Sequence, residues 1–380
     1  MTLRPDSPEL ADGAASWLSA YVHIPFCTRR CPYCDFAVVT PIETAVSHRA
    51  YIDALVVEIN LVPDWGPLDA VSVGGGTPSL VDPELLGEVT RALDRRFGFR
   101  DDAEVALEAN PEDWSPDRAA GLVAAGFRRV SFGAQSFDPD VLAALGRGHT
   151  PDDIGAAVAV ARNAGFTSIN LDLIFGTSGE SKRSWEDSVD RAINLGVDHV
   201  STYALTVERG TRLSKDILAG APAPDPDDQA DKYESAQHRL TEAGFVQYEV
   251  SNFAMEGHHV RYNLCTWAGG EYLGIGLGAH EHRDGVRARN LRRLDRYMEA
   301  VGERIRPRSG SETVNDREQE AAFLGLRRMA GVPLNATIED FLGSDSGVRL
   351  AAAGVIAVDE GRLRISRPLL ADAVMREFVG

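Results

Sequence analysis

The 380-residue chain has only four cysteines, far fewer cations than acids, and no long apolar run. Each shortage removes a class of protein. A net charge of −18 leaves no excess of Lys and Arg to release counterions from a phosphate backbone, so no nucleic-acid partner is expected. The first twenty residues hold three acids and no apolar stretch of the signal-peptide kind. No segment approaches the ~20 apolar residues of a spanning helix. Four cysteines, three of them bunched, make no disulfide framework, which points to the reducing cytoplasm.

What is present is a repeated alternation. Short β-rich runs lie at 20–24, 69–73, 104–109, 128–133, 168–175 and 198–205, and helical patterns at 83–97, 115–127, 152–164 and 184–196 separate them. Strand and helix in repeated alternation imply a parallel sheet, because parallel neighbours need a crossover connection. Six units fall short of eight, so the fold class is α/β, either an incomplete (β/α)6 barrel or an open doubly wound sheet. The Pro- and Asp-rich stretch 221–228 reads as a surface loop before a helix at 229–243. After it, 244–254 resumes a strand pattern. From 313 the pattern becomes helix, helix and a two-stranded turn, then a last helix, as in a winged-helix module. In an acidic protein such a module reads as a lid or docking domain. The expected divisions are an N-terminal arm at 1–18, a partial barrel at 19–220, a barrel extension at 221–312 and a winged-helix-like domain at 313–380.

In either geometry ligands collect at the carboxyl ends of the strands. After the first strand stands "FCTRRCPYCDF", with Cys27, Cys31 and Cys34, and the only other cysteine is Cys265. Structural zinc wants four protein ligands, usually in two pairs, and no second pair exists, leaving only His23 or Asp35 to complete a set locally. A four-iron cluster on three thiolates is the alternative, and it leaves one iron open for a substrate or cofactor. Later strand ends carry "GGGTP" (74–78), "EANP" (108–111), "GAQSF" (133–137), Arg147 and Asp172. Consecutive glycines let a backbone approach a ligand closely and offer amides to it.

The spacing Cys-x3-Cys-x2-Cys resembles the signature of the radical S-adenosylmethionine (SAM) superfamily. The order of "YVHIPFC", "GGGTPS", "EANP", "SFGAQSF", "LGRGH" and "NLDLIFG" is similar to one family within it, the oxygen-independent coproporphyrinogen III oxidases and their HemW-type haem-chaperone relatives. The likeness runs from about Tyr21 to the C-terminus and implies a radical SAM partial barrel with an appended winged domain. By the resemblance, Cys27, Cys31 and Cys34 hold a [4Fe-4S] cluster, and Tyr21, Gly75 and Glu108 contact SAM. Tyr33, Gly76, Thr77, Gln135, Arg147 and Asp172 match positions around a second SAM in the dehydrogenases. In a one-SAM protein they shape a haem or substrate cavity.

Two departures favour the chaperone branch. The dehydrogenase motif continues to a fourth cysteine two residues after the third, where this chain has Phe36, and the segment before the first strand is short. The chaperones share an "HNxxYW" stretch, and the corresponding segment is "YNLCTW", 262–267. Asn263 and Trp267 match it, Tyr262 replaces His and Thr266 replaces Tyr. His259, Tyr262 and Cys265 are the candidate haem ligands there, beside the plainer reading of a loop with surface histidines and a buried thiol. His280 reads as a packing or SAM-adjacent residue. The implied function is a cytoplasmic haem chaperone, in peripheral contact with the membrane, that passes haem to apoproteins such as membrane respiratory enzymes. It acts as a monomer or homodimer, and no catalytic residue is assigned. The alternative is a coproporphyrinogen III dehydrogenase.

Overall fold

A computed structural model describes residues 4–314 and 317–379. Residues 1–3 of the expected arm and 315, 316 and 380 of the expected C-terminal domain lie outside the described residues. Strands β1 (Leu18–Ile24), β2 (Leu68–Gly75), β3 (Phe99–Ala109), β4 (Arg129–Gln135), β5 (Ser168–Phe175) and β6 (His199–Ala204) pair in parallel and in chain order. A doubly wound sheet requires the order to reverse, and this one never does. With right-handed crossovers throughout, the connecting helices fall on one face and leave the other free to form an interior. The result is an open half-barrel with its main core between strands and helices.

The connecting helices announce their starts. Asp82, Ser115, Thr150 and Asp225 each cap a helix whose first residue is Pro, at Pro83–Phe97, Pro116–Ala124, Pro151–Ala164 and Pro226–Glu242. Ser181 caps Lys182–Asn194 without one. The cap at Asp225 corrects the reading of 221–228 as loop throughout. Pro226 occupies the first helical position, where its missing N–H costs nothing, and Asp227 and Asp228 sit in the first turn, so the helix begins inside that stretch.

The periodic segments missed the helix His48–Leu61, which is apolar around most of its circumference. The strand pattern at 244–254 appears as two short strands, and beyond β1 stand four strands that the sequence did not reveal. On the outer side of β6 lie β7 (Val246–Gln247) and β8 (Asn252–Ala254), antiparallel. Beyond β1 lies β9 (Glu271–Ile275), parallel to it, then β10 (His280–Arg283), β11 (Val286–Asn290) and β12 (Arg308–Thr313), antiparallel. The fully buried Glu58 staples this extension to the helix. It accepts hydrogen bonds from the Tyr297 hydroxyl (2.7 Å), the Gly276 amide (2.8 Å) and Asn290 Nδ2 (2.7 Å).

Residues 317–379 build a second core. Helices Arg317–Gly325, Ala336–Gly343 and Asp345–Ala352 pack with a small sheet of β13 (Val332–Pro333, between the first two helices), β14 (Ile356–Asp359) and β15 (Arg362–Ile365), and the helix Ala371–Val379 follows. The third of these helices was not anticipated. This region docks at the amino ends of the strands. Val250 N donates to Arg327 O and Met329 N to Tyr248 O, both at 3.0 Å, and Arg362 clamps Asp12 of the N-terminal segment at 2.8 and 2.9 Å. Among the described residues none beyond Asn263 lines the main cavity, so this region does not cover it here.

Candidate cofactor site

A cavity of about 500 Å³ opens at the carboxyl ends of the parallel strands. Its inner wall follows the two-residue period of the strands. Ser131, Gly133 and Gln135 of β4, Asn170, Asp172 and Ile174 of β5, and Ser201 and Tyr203 of β6 face it. The alternate residues Phe132, Ala134, Leu171, Leu173 and Val200 enter the main core. Buried parallel strands are usually near-continuous apolar runs, so these polar positions mark an interior built for something other than packing.

The cavity gathers Cys27, Cys31, Cys34, Tyr33, Gly75, Gly76, Thr77, Glu108, Gln135, Arg147 and Asp172. Tyr21 is not in its lining. The His23 ring donates from Nε2 to Ala37 O (2.9 Å), which leaves Nδ1 to accept the Tyr21 hydroxyl (3.2 Å). Burial lowers the His23 pKa to about 4, in keeping with that neutral ring.

Each thiol has a donor beside it. Thr77 Oγ1 donates to Cys27 Sγ (3.6 Å), Arg147 Nη1 to Cys31 Sγ (3.4 Å) and the Phe36 amide to Cys34. Asn110 joins the first two donors. Its Nδ2 donates to Thr77 Oγ1 (3.2 Å) while its Oδ1 accepts from Arg147 Nη2. Burial pushes the Cys27 thiol up to about 11 and raises that of Cys34, so iron binding would release protons from the loop. Among the described residues no three His, Cys, Asp or Glu side chains converge on a point as one metal ion requires. Three separated thiols on one rim fit a cluster, in which each thiolate takes a different iron. Arg147 Nε is buried without a hydrogen-bond partner among the described residues.

The glycines serve the protein's own packing first. A Cβ at Gly74 would stand 2.6 Å from the Glu108 carboxyl, and one at Gly76 would stand 2.7 Å from Phe26 O and 2.8 Å from Ile24 O. Their amides are engaged as well. Gly75 N donates to Glu108 Oε2 (3.0 Å), Gly76 N to Ile24 O (2.7 Å) and Thr77 N to Phe26 O (2.8 Å). The expectation that these amides are offered to a ligand is therefore corrected. What faces the cavity here is Glu108, whose carboxyl burial pushes up to about 7, with the nearby Asp172 charge adding to the rise and the Gly75 amide opposing it. Burial also raises Asp172, which accepts from Ser131 Oγ (2.6 Å) and Asn170 Nδ2 (2.9 Å). Gln135 ends β4 with φ 64°, a left-handed backbone that a non-glycine residue holds only at a cost, and such strain concentrates at functional sites.

The haem candidates lie elsewhere. Residues 261–267 form a helix, not a loop, packed at the amino ends of the strands. Arg129 Nη2 donates to His258 O (2.8 Å) and His259 O (3.0 Å), its Nε to Glu104 (2.8 Å), and Glu104 accepts the Arg261 amide (3.0 Å). None of His259, Tyr262 and Cys265 lines the cavity, although their neighbours Val260 and Asn263 do. His259 stacks on Trp17 (6.4 Å between rings), and Tyr262 packs between Tyr21 and Tyr272. The Cys265 thiol is fully buried and donates to Trp17 O (3.4 Å) and Glu271 O (3.6 Å). A thiol so enclosed has no open side for haem iron. His280 is exposed on β10, outside the cavity lining.

An open parallel half-barrel with three thiols in the loop after its first strand defines a radical SAM protein. Residues 21–192 match the model of the Radical SAM superfamily. The chain is 40% identical to a Mycobacterium tuberculosis protein named Heme chaperone HemW, over 98% of this chain and 97% of that one. It is 34% identical to the Bacillus subtilis protein of the same name, over 95% and 99%. A mouse protein named Radical S-adenosyl methionine domain-containing protein 1, mitochondrial, is 35% identical over 96% of this chain and 86% of its own. The solved coproporphyrinogen III oxidase of Escherichia coli superposes with a TM-score of 0.81, at 24% identity over 97% and 91% of the two chains, and so shares the fold. This chain belongs to the HemW family.

Proposed function

We propose that this protein is a haem chaperone that holds a [4Fe-4S] cluster, binds SAM beside it and passes haem to apoproteins, membrane respiratory enzymes among them. The observation that carries the reading is the loop after β1, where three thiols share the rim of one cavity, each with a donor, and Phe36 occupies the place of a fourth cysteine. A bound cluster would supply one electron and one open iron for the amino and carboxylate groups of SAM. Cys27, Cys31 and Cys34 would hold it.

Around that group the chain's own residues bind and orient. Thr77 and Arg147 fix two thiols, and Glu108 presents a carboxyl near its neutral state to the ribose or amino end of a nucleoside. Gln135 and Asp172 form the deeper polar wall, and Tyr33 offers a flat surface to adenine. The protein works in the cytoplasm, in peripheral contact with the membrane that holds its recipients. Among the described residues no helix is long and apolar enough to cross one. The winged region at 313–380, docked away from the cavity, serves as a platform for partners.

The test is anaerobic reconstitution followed by haem titration and an assay with coproporphyrinogen, SAM and reductant. About four irons per chain, a shifted Soret band and no protoporphyrinogen are expected. Sustained turnover would make the protein a dehydrogenase, and stoichiometric zinc without sulfide would remove the cluster.

A further inference from the structure

Among the described residues every Phe, Tyr and Trp is at least partly buried, with two exceptions, Phe36 at 58% exposure and Tyr203 at 40%. Both line the cavity. Scattered exposed aliphatics need no explanation, but the only two exposed aromatic rings sharing one opening do. They come from opposite ends of the parallel run, Phe36 from the loop after β1 and Tyr203 from β6. The loop is drawn against the β6 side by the Leu213 N to Pro32 O hydrogen bond (2.8 Å). Val38, Ile174 and Leu205 add apolar surface to the same lining.

The charges at this opening are uneven. Arg29 is exposed, lies in the lining and among the described residues makes no hydrogen bond or ion pair, whereas Arg30 is tied to Val38 O and Glu43, and Arg147 to Cys31, Asn110 and Gly133 O. Asp35 and Glu208 stand on the same rim and repel an anion, so a carboxylate entering here is directed to Arg29.

We propose that haem docks at this mouth, its macrocycle against Phe36 and Tyr203 and a propionate on Arg29. The placement rests on the haem reading above. A flat apolar ring bearing carboxylates needs an aromatic slot with a free cation at its edge, and among the described residues this opening holds both. The mouth also leaves the deeper polar wall of Glu108, Gln135 and Asp172 to a second ligand.

The full-length protein is titrated with haem and with haem dimethyl ester, which has no propionate charge, and the Soret band is followed. Tyr203→Ala and Phe36→Ala should each weaken both ligands about tenfold by loss of aromatic contact. Arg29→Glu should weaken haem about tenfold and leave the ester unchanged. Tyr203 lies outside the cysteine loop, so its variant separates docking from damage to that loop. Wild-type protein that binds haem, with all three variants within twofold of it, would overturn the placement. Wild-type protein that takes up no haem overturns the haem reading itself and the placement with it.

Discussion

The two ends of the half-barrel hold cysteines in opposite surroundings. At the carboxyl ends of the strands Cys27, Cys31 and Cys34 are half-buried on a cavity rim, with side-chain and amide donors but no covering layer. At the amino ends Cys265, on the helix Arg261–Trp267, is fully buried against the N-terminal segment and the start of β9, its thiol answered by the Trp17 and Glu271 carbonyls. The first end spends its polar groups on facing a ligand and the second on closing the fold. Of the family motif "YNLCTW", Asn263 lines the cavity while Tyr262 and Cys265 pack into the fold, a division that sequence likeness alone could not show.

Predictions that break or sharpen this contrast can be ordered by size. The largest is Cys31→Ala, which should abolish cluster assembly outright while apo-protein melting stays near wild type, read by iron and sulfide content beside calorimetry. Next is Arg129→Met, which strips two carbonyls and the half-buried Glu104 of the guanidinium they share at the amino end. It should cost about 3 kcal/mol in denaturant unfolding while the cluster still assembles. If it instead empties the thiol loop, the two ends are not separate.

A third prediction concerns pH. Glu249, buried where the C-terminal region docks, has its carboxyl pushed by burial from 4.5 to about 7, with the Arg327 charge opposing. A folded-state value above the unfolded one means the contribution is complete below pH 4.5 and is lost as pH rises through 7, about 3 kcal/mol in all. Glu249→Gln should flatten that slope between pH 5 and 8 in thermal melts, and an unchanged slope would place the titration elsewhere. The smallest effect belongs to Asn110→Ala. It frees the donors of Cys27 and Cys31 from one another, so the cluster's midpoint potential should fall with cluster content intact, as potential follows hydrogen bonds to sulfur. A potential equal to wild type would reduce Asn110 to a packing residue.

Much of this was legible in the chain. The six parallel strands could be read because each is a short β-rich run in alternation with a helical pattern, and the thiol loop because three cysteines in eight positions have few other uses. The cavity's polar wall was half legible. Gln135 and Asp172 were found by motif, while Ser131, Asn170 and Ser201 were passed over although they share the same two-residue period. The helix His48–Leu61 and strand β9 were not legible, because an element buried on two sides loses its amphipathic period, and β11 and β12 were not because they are largely exposed and polar and carry no apolar alternation. Asn110 escaped for another reason. Its role lies in joining Thr77 and Arg147, which are remote in sequence and meet only in the fold.

The most direct measurement of where ligands sit is haem titration of the full-length Tyr262→Phe variant, which removes the one hydroxyl of the motif helix that could ligate iron. Binding as tight as wild type is the predicted result, with haem held at the Phe36 and Tyr203 end. Loss of the Soret shift in this variant would place haem at the amino end and contradict the account.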